Sequence, residues 1–587
     1  MFRDEFKAEV DYLFQLCDEL GRREPTLAPM LGRGADPSVS RLVEGLAFSF
    51  GRLRQRLDDD MPEIIHPIID NLCPEILRPV PSGTIIELTP SAKMLSRQAV
   101  RAGSTFASRP VGGVSCHFRS TFDCEVSPWV LRRIEVASPE RRVVKLVLEL
   151  FGGTELASAA PKVLRLFLAH PVAAALEARA FLLRNTVRII ARSPQSDGAV
   201  TLPRPVVARS SSTTSSFEET RAARHLDDTM LPSASAFLAL RDYFTFPQSF
   251  AFVELPGFDA VAELGAGVRN LEIDIELVEP LPKGIVLDPS TVLLHAVPAL
   301  NVFRPPKLSV QLGADKRRCH LRFEGELEEA EVYAVESVAL VSRGLRTTPL
   351  QPWARFFPPR LEGSTTDVRY EVHRVPSVIG PRLDVSLSFS AAGIDSFLAD
   401  KLAVEVEILA TNGERASTVG LGDVCVSTAM SPSLVSFRNV TTVTRNAAPQ
   451  IAGDRLWRFF RLTKANLASL TDSETLGAVL ALANVPALDQ WPDAKPGVER
   501  FTPLLRAERQ RSCASDRDEL RSGAVVKLAL DGRRFTGPGD LRLFGEVLVP
   551  LFAASIAVNE WVELVLVDAA GHTLERYPRT YGARVGL

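Results

Sequence analysis

Long hydrophobic runs are missing from this sequence. The longest apolar stretch, "VLVPLFAASIAV" (Val547 to Val558), is too short to span a bilayer and carries Pro550. No segment is therefore expected to enter a membrane by itself. An excess of charge of one sign is also missing: 68 Lys and Arg stand against 71 Asp and Glu, a formal net charge of −3. That balance argues against a strongly basic surface working on nucleic acid. Cysteines are few and scattered, at positions 17, 73, 116, 124, 319, 425 and 513. Their odd number and wide spacing do not form a disulfide framework and read as free thiols in a reducing compartment. The opening "MFRDEFKAEV" is charged and has no apolar signal-peptide core. A cytoplasmic location is the expectation.

The signatures of common chemistry are absent as well. There is no Walker A lysine, no H-E-x-x-H and no G-x-S-x-G. A lone Gly-x-Gly at Gly265 and Gly267 lacks a third glycine and reads as a turn. The histidines, at 66, 117, 170, 225, 295, 320, 373 and 572, never fall three to five residues apart in a ligand pattern. Cys116-His117 and Cys319-His320 suggest zinc, but neighbouring side chains on a strand face opposite ways. Only a site joining both pairs would chelate. Asp58, Asp59 and Asp60 read as a solvated helix end, since no further oxygen-ligand pattern follows. No catalytic, cofactor-binding or metal-binding residue is assigned. An enzyme would need an active site dispersed along the chain.

Present instead are globular proportions: 46% hydrophobic and 24% charged residues over 587 positions, enough for three or four domains. The texture is helical over residues 1–80. From "TIIELTP" onward, short β-rich runs such as "WVLRRIEVAS" and "RRVVKLVLELFGG" alternate with turn residues. "KVLRLFLAH" followed by "PVAAALEARAFLLRN" reads as a strand feeding a helix. This gives an α+β chain: a helical region at 1–80, a β-rich module at 81–207, a linker or loop at 208–232, central β-rich modules at 233–445 and an α+β module at 446–587. The linker carries the serine-rich Ser210 to Ser216, whose composition cannot bury enough surface to order itself. A helix is expected around "SASAFLALRDYF", a helical stretch at "DRLWRFFRLTKANLASLTDSETLGAVLALAN", and an apolar helix around Leu543 to Val558.

The sharpest pattern lies in the helical region. In "VSRLVEGLAFSFGRLRQRLDDDMP", Val39, Val43, Leu46, Phe50, Leu53 and Leu57 follow at steps of 4, 3, 4, 3 and 4. Upstream, Phe6, Val10, Leu13, Cys17 and Leu20 repeat the rhythm. This is the spacing of a coiled-coil seam. Asp36 can cap the second helix with Pro37 at its first position. Two readings are open. The helices fold back on each other as a hairpin, or partner helices complete a bundle. Phe14, Leu42 and Phe48 widen the apolar surface beyond the seam, which favours the second.

The same stretch carries a resemblance. "DPSVSRLVEGLAFSFGRLRQRLDDDMPEIIHPIIDNLCPEILRPVPS" resembles the N-terminal signature of the TssF family of type VI secretion baseplate subunits. So, in order, do "LRDYFTFPQSFAFVEL", "LLHAVPALNVF", "EVYAVESV", "DRLWRFFRLTKANLASL" and "LFGEVLVPLFAASIAVNEWVELVLV". Two places depart: "FKAEVDYLFQL" stands for the family's Tyr-Tyr and Arg-Glu-Leu opening, and "ATNGERAST" has Gly413 where the family has arginine. The resemblance implies a structural, non-enzymatic wedge subunit of a cytoplasmic baseplate, with no cofactor. Its implied partners are TssG, a second copy of itself, TssE, TssK and the VgrG spike. It also implies that Phe6, Val10, Leu13, Leu20, Val39, Val43, Leu46, Phe50, Leu53 and Leu57 face another chain. A wedge protein of a contractile phage tail, or of a related injection machine, would share the architecture.

Overall fold

Alternation builds the sheets. In Asn270–Leu277, every second residue (Leu271, Ile273, Ile275, Leu277) is buried, and its neighbours are half-exposed. The strand sits at the centre of a five-stranded antiparallel sheet, between Thr186–Ser193 and Val143–Leu150. The computed structural model describes residues 10, 13–14, 37–58, 62–136, 141–151, 153–207, 232–265, 267–311, 318–341, 347–353, 368–377, 382–390, 403–449, 451, 455–485, 504–516 and 519–583. The serine-rich segment and Asp36 lie outside these residues. So do Phe6 and Leu20.

The α+β expectation holds, with long helices at both ends of a chain otherwise rich in strands. Four large cores organise the described residues. The largest packs the five-stranded sheet against a second sheet containing Phe252–Pro256 and Val163–Leu168, with the helix Val172–Asn185 alongside.

A six-stranded sheet forms the second core. Its order runs from Val426–Ser427 through Thr105–Ala107, His117–Ser120, Ala296–Leu300 and Gly83–Pro90 to Val435–Asn439. The two edge strands are consecutive in the chain. Residues 428–434 join them, and a Ser431 to Thr428 backbone hydrogen bond tightens that connection. A flat sheet would hold its edges about 24 Å apart. Gly422, four residues before the first edge strand, donates to the carbonyl of Asn439 in the last at 3.1 Å, so the sheet curls into an open barrel. Ile86, Leu88, Phe106, Phe118, Val297 and Phe437 fill it.

A sandwich of two four-stranded sheets follows. One contains Glu331–Val341 and Ala403–Thr411; the other contains Arg369–Pro376 and Leu383–Ser390.

The fourth core is made by helices and the C-terminal sheet. Glu519–Leu530 and Trp561–Val567 pair in parallel, connected by the helix Pro538–Ala553 in a βαβ unit. That helix begins five residues before the expected Leu543, because Pro538 supplies a pre-set first turn. It ends at Ala553 rather than Val558. Pro232–Thr245 packs against it, and on Pro232–Thr245 in turn packs the helix Ser473–Ala483, which Asp472 caps by accepting from the Thr475 amide at 2.9 Å. Strands read from sequence as parts of different segments thus share sheets. Among the described residues no helix is long and apolar enough to cross a membrane.

Candidate partner interface

The helix Pro37–Asp58 carries the seam. Residues four apart share a helix face, and neighbouring residues sit about 100° apart around the axis. Val43 and Ala47 form one row and are buried, at 8% and 0% exposure. Leu42 and Leu46 form the adjoining row and are exposed, at 71% and 44%. The chain's own packing therefore reaches one flank of the apolar arc and leaves the other uncovered. Val39, Phe50, Leu53 and Leu57 lie on the same helix, their side chains outside the described residues. From the upstream repeat, Val10 and Leu13 are half-buried, and Phe14 beside them is buried.

A second helix, Pro62–Leu72, comes next in the described chain. Ile65 and Ile69 sink into the helical core with Phe237, Phe459 and Leu548, while Ile64 on the opposite side is exposed. The short 3₁₀ turn Pro74–Leu77 follows. Around it gathers a buried polar joint that sequence reading missed, since its members come from distant segments. Arg241 donates from Nη1 to the Glu75 carbonyl at 3.0 Å. Asp70 pairs with Arg374 of the sandwich at 3.4 Å, and the Arg78 guanidinium lies 5.4 Å from the Tyr333 ring centroid. Burial pulls Arg374 below the ordinary arginine range. The Cys73 thiol donates to Glu75 at 3.3 Å; burial, with Glu75 beside it, raises its pKa well above the ordinary value. That keeps it protonated and inert. The joint ties the segment 70–78 to both the helical core and the sandwich.

The other candidates do not assemble. Cys116 belongs to the barrel core and Cys319 to the sandwich core. Among the described residues no group of three or more His, Cys, Asp or Glu is placed to hold a metal ion. Gly265, in a left-handed conformation (φ 104°), closes a 3₁₀ turn ahead of the strand Asn270–Leu277. Asp58 ends the seam helix; Asp59 and Asp60 lie outside the described residues. A shallow depression of about 260 Å³ on the sandwich is lined by Trp353, Arg369, Tyr370, Glu371, Ser388 and Ser390. Beside it, His373 Nε2 meets Ser388 Oγ at 2.7 Å and Glu371 at 3.6 Å. Serine and this carboxylate reach the same ring nitrogen, so Glu371 does not orient the imidazole from its far side as in an activated serine.

The described residues thus form several separately cored modules and carry a half-covered apolar seam on one helix. The comparison with known families is specific: the family model described as "Type VI secretion system, TssF" matches residues 1–584, and the chain belongs to that family. It is 22% identical over 640 residues to "Type VI secretion system component TssF1" of Pseudomonas aeruginosa (strain PAO1), covering 99% of each chain. A chain in the cryo-electron microscopy structure of the type VI secretion system TssK-TssF-TssG baseplate subcomplex is similar to it. That chain has 25% identity and a TM-score of 0.72, over 93% of this chain and 99% of that one. A chain in the type VI secretion baseplate complex shares the fold, with a TM-score of 0.67 at 21% identity over all of both chains. The resemblance read from the sequence motifs is borne out.

Proposed function

We propose that this chain is a structural wedge subunit of a type VI secretion baseplate, that it pairs with TssG and is engaged by TssK, and that it catalyses nothing. Family membership and the likeness to a TssK-TssF-TssG subcomplex support the assembly. The observation that carries the proposal in this chain is the divided seam: Val43 and Ala47 covered, Leu42 and Leu46 not. An apolar row beside a packed one on the same helix suits a partner helix completing a bundle. In this reading residues 1–80 are the partner-facing region and the β-rich modules form the platform. The assembly stands in the cytoplasm and holds a second copy of this chain, with TssE and the VgrG spike as further neighbours.

Two substitutions on adjoining rows of the helix test it. Leu46→Asp places a carboxylate on the uncovered row and should abolish co-purification with co-expressed TssG while leaving the free subunit folded. Val43→Asp buries a carboxylate within the chain's own packing and should destabilise the free subunit by several kcal/mol (roughly 2–7). Retained TssG binding by a folded Leu46→Asp variant rejects the interface.

A further inference from the structure

Glu331 opens the long sandwich strand Glu331–Val341 and pairs there with Thr411. Its side chain faces away from the sandwich core. It meets Asn446, in the segment where Thr444 donates to Gly83 and Val80 and Ala447 bridge. That segment runs beside the root of the barrel strand Gly83–Pro90. Glu331 is 9% exposed and Asn446 7%. Asn446 Nδ2 donates to Glu331 Oε2 across a long 3.4 Å, while Asn446 Oδ1 is buried without a donor. On the remaining side sits Gly413 (φ 57°), where an added Cβ would stand 2.9 Å from Glu331 Oε1. The turn Gly413–Thr418 then runs into the barrel core through Ala416 and Val419.

An ionised carboxylate only accepts hydrogen bonds; a neutral carboxyl also donates. With Glu331 ionised, the Asn446 carbonyl oxygen has no donor and a charge is buried against a single long bond. With Glu331 neutral, its hydroxyl can serve that oxygen while the asparagine amide serves the other carboxyl oxygen. We propose that Glu331 is held as a neutral acid in an acid–amide pair with Asn446, and that its ionisation, releasing the proton to water, loosens the joint between sandwich and barrel. The surrounding charges do not reverse this. Arg382 favours the ionised form and Glu414 opposes it. Glu329 is engaged by Arg415. Burial dominates and pushes the carboxyl from 4.5 to about 7. Because the closed form holds the proton more tightly than the open one, closure is favoured at low pH. It weakens as pH rises toward 7 and beyond, by about tenfold between pH 6 and pH 8.

Hydrogen exchange by mass spectrometry on the full-length protein reads this directly, at pH 6 and pH 8 after correction for intrinsic rates. Peptides covering 327–335 and 441–449 should lose about tenfold in protection at pH 8, with the large core peptides unchanged. Glu331→Gln, which keeps an amide–amide pair and cannot ionise, should fold and show no such loss. Equal protection of the wild type at both pH values overturns the proposal. So does a loss that persists in Glu331→Gln, or failure of that variant to fold, since the neutral side chain is what the folded protein is held to contain.

Discussion

The rings of Phe106 and Phe437 meet edge to face with centroids 4.8 Å apart, although three strands separate theirs in the sheet order. Only a curled sheet brings them together, and their contact closes the barrel. Aromatic pairs of this geometry add to the burial of their own area. Phe437→Ala should therefore open a cavity and cost about 3–5 kcal/mol. Urea denaturation followed by a probe in the barrel checks this.

Helix Pro538–Ala553 crosses Val172–Asn185 at very close range: a Cβ on Gly539 would stand 2.4 Å from the Leu176 backbone. Gly539→Ala should destabilise by about 1–3 kcal/mol through overpacking, although alanine favours helix. Gly477 lies in the helix Ser473–Ala483 with open space around it. There the same change should be neutral, or stabilise by up to about 1 kcal/mol. Thermal melts of the two variants side by side decide it.

Between the same two helices, buried Arg179 pairs with Glu546 at 2.7 Å, and Arg542 bonds the other oxygen of that carboxylate at 3.1 Å. Glu546→Ala leaves an uncompensated guanidinium in the core and should cost about 3–5 kcal/mol. Replacing Arg179 and Glu546 together by Leu and Met should cost less than Glu546→Ala alone. Chemical denaturation of both variants gives the comparison.

His295 is fully buried, and desolvation lowers its pKa from 6.5 to about 4, against hydrogen bonds to the backbone of Ser127 and Trp129 that pull upward. The unfolded chain thus binds this proton more readily than the folded one. Stability is unaffected above pH 6.5 and falls as pH drops from 6.5 toward 4, by up to about 3 kcal/mol. His295→Gln should flatten that part of the stability–pH curve. An unchanged acid limb would assign the loss to other groups.

Much of the local structure is legible in the sequence. "RRVVKLVLELFGG" contains the strand Val143–Leu150, and "KVLRLFLAH" with the alanine-rich stretch after it gives Val163–Leu168 and Val172–Asn185. Pro37 marks the start of the seam helix. Partnership is not legible. Strand alternation states which face is buried, not which strand lies alongside. Gly83–Pro90 pairs with residues more than two hundred positions away, at Ala296–Leu300 and Val435–Asn439. The same limit hid the joint around Glu75, where Arg241 and Arg374 arrive from other modules. At the seam, the 3–4 spacing marks one apolar arc but cannot divide it. The division between Val43 and Leu46 depends on what else the chain packs there.

That division is the centre of the account, and one measurement addresses it most directly. Leu46→Asp and Val43→Asp are each co-expressed with tagged TssG, and the recovered complex is quantified alongside the circular dichroism and melting temperature of each free subunit. The account predicts that Leu46→Asp leaves the free subunit's helical signal and melting temperature near wild type yet recovers no TssG. It predicts that Val43→Asp lowers the melting temperature before any partner is present. Wild-type recovery of TssG by a folded Leu46→Asp subunit would contradict it.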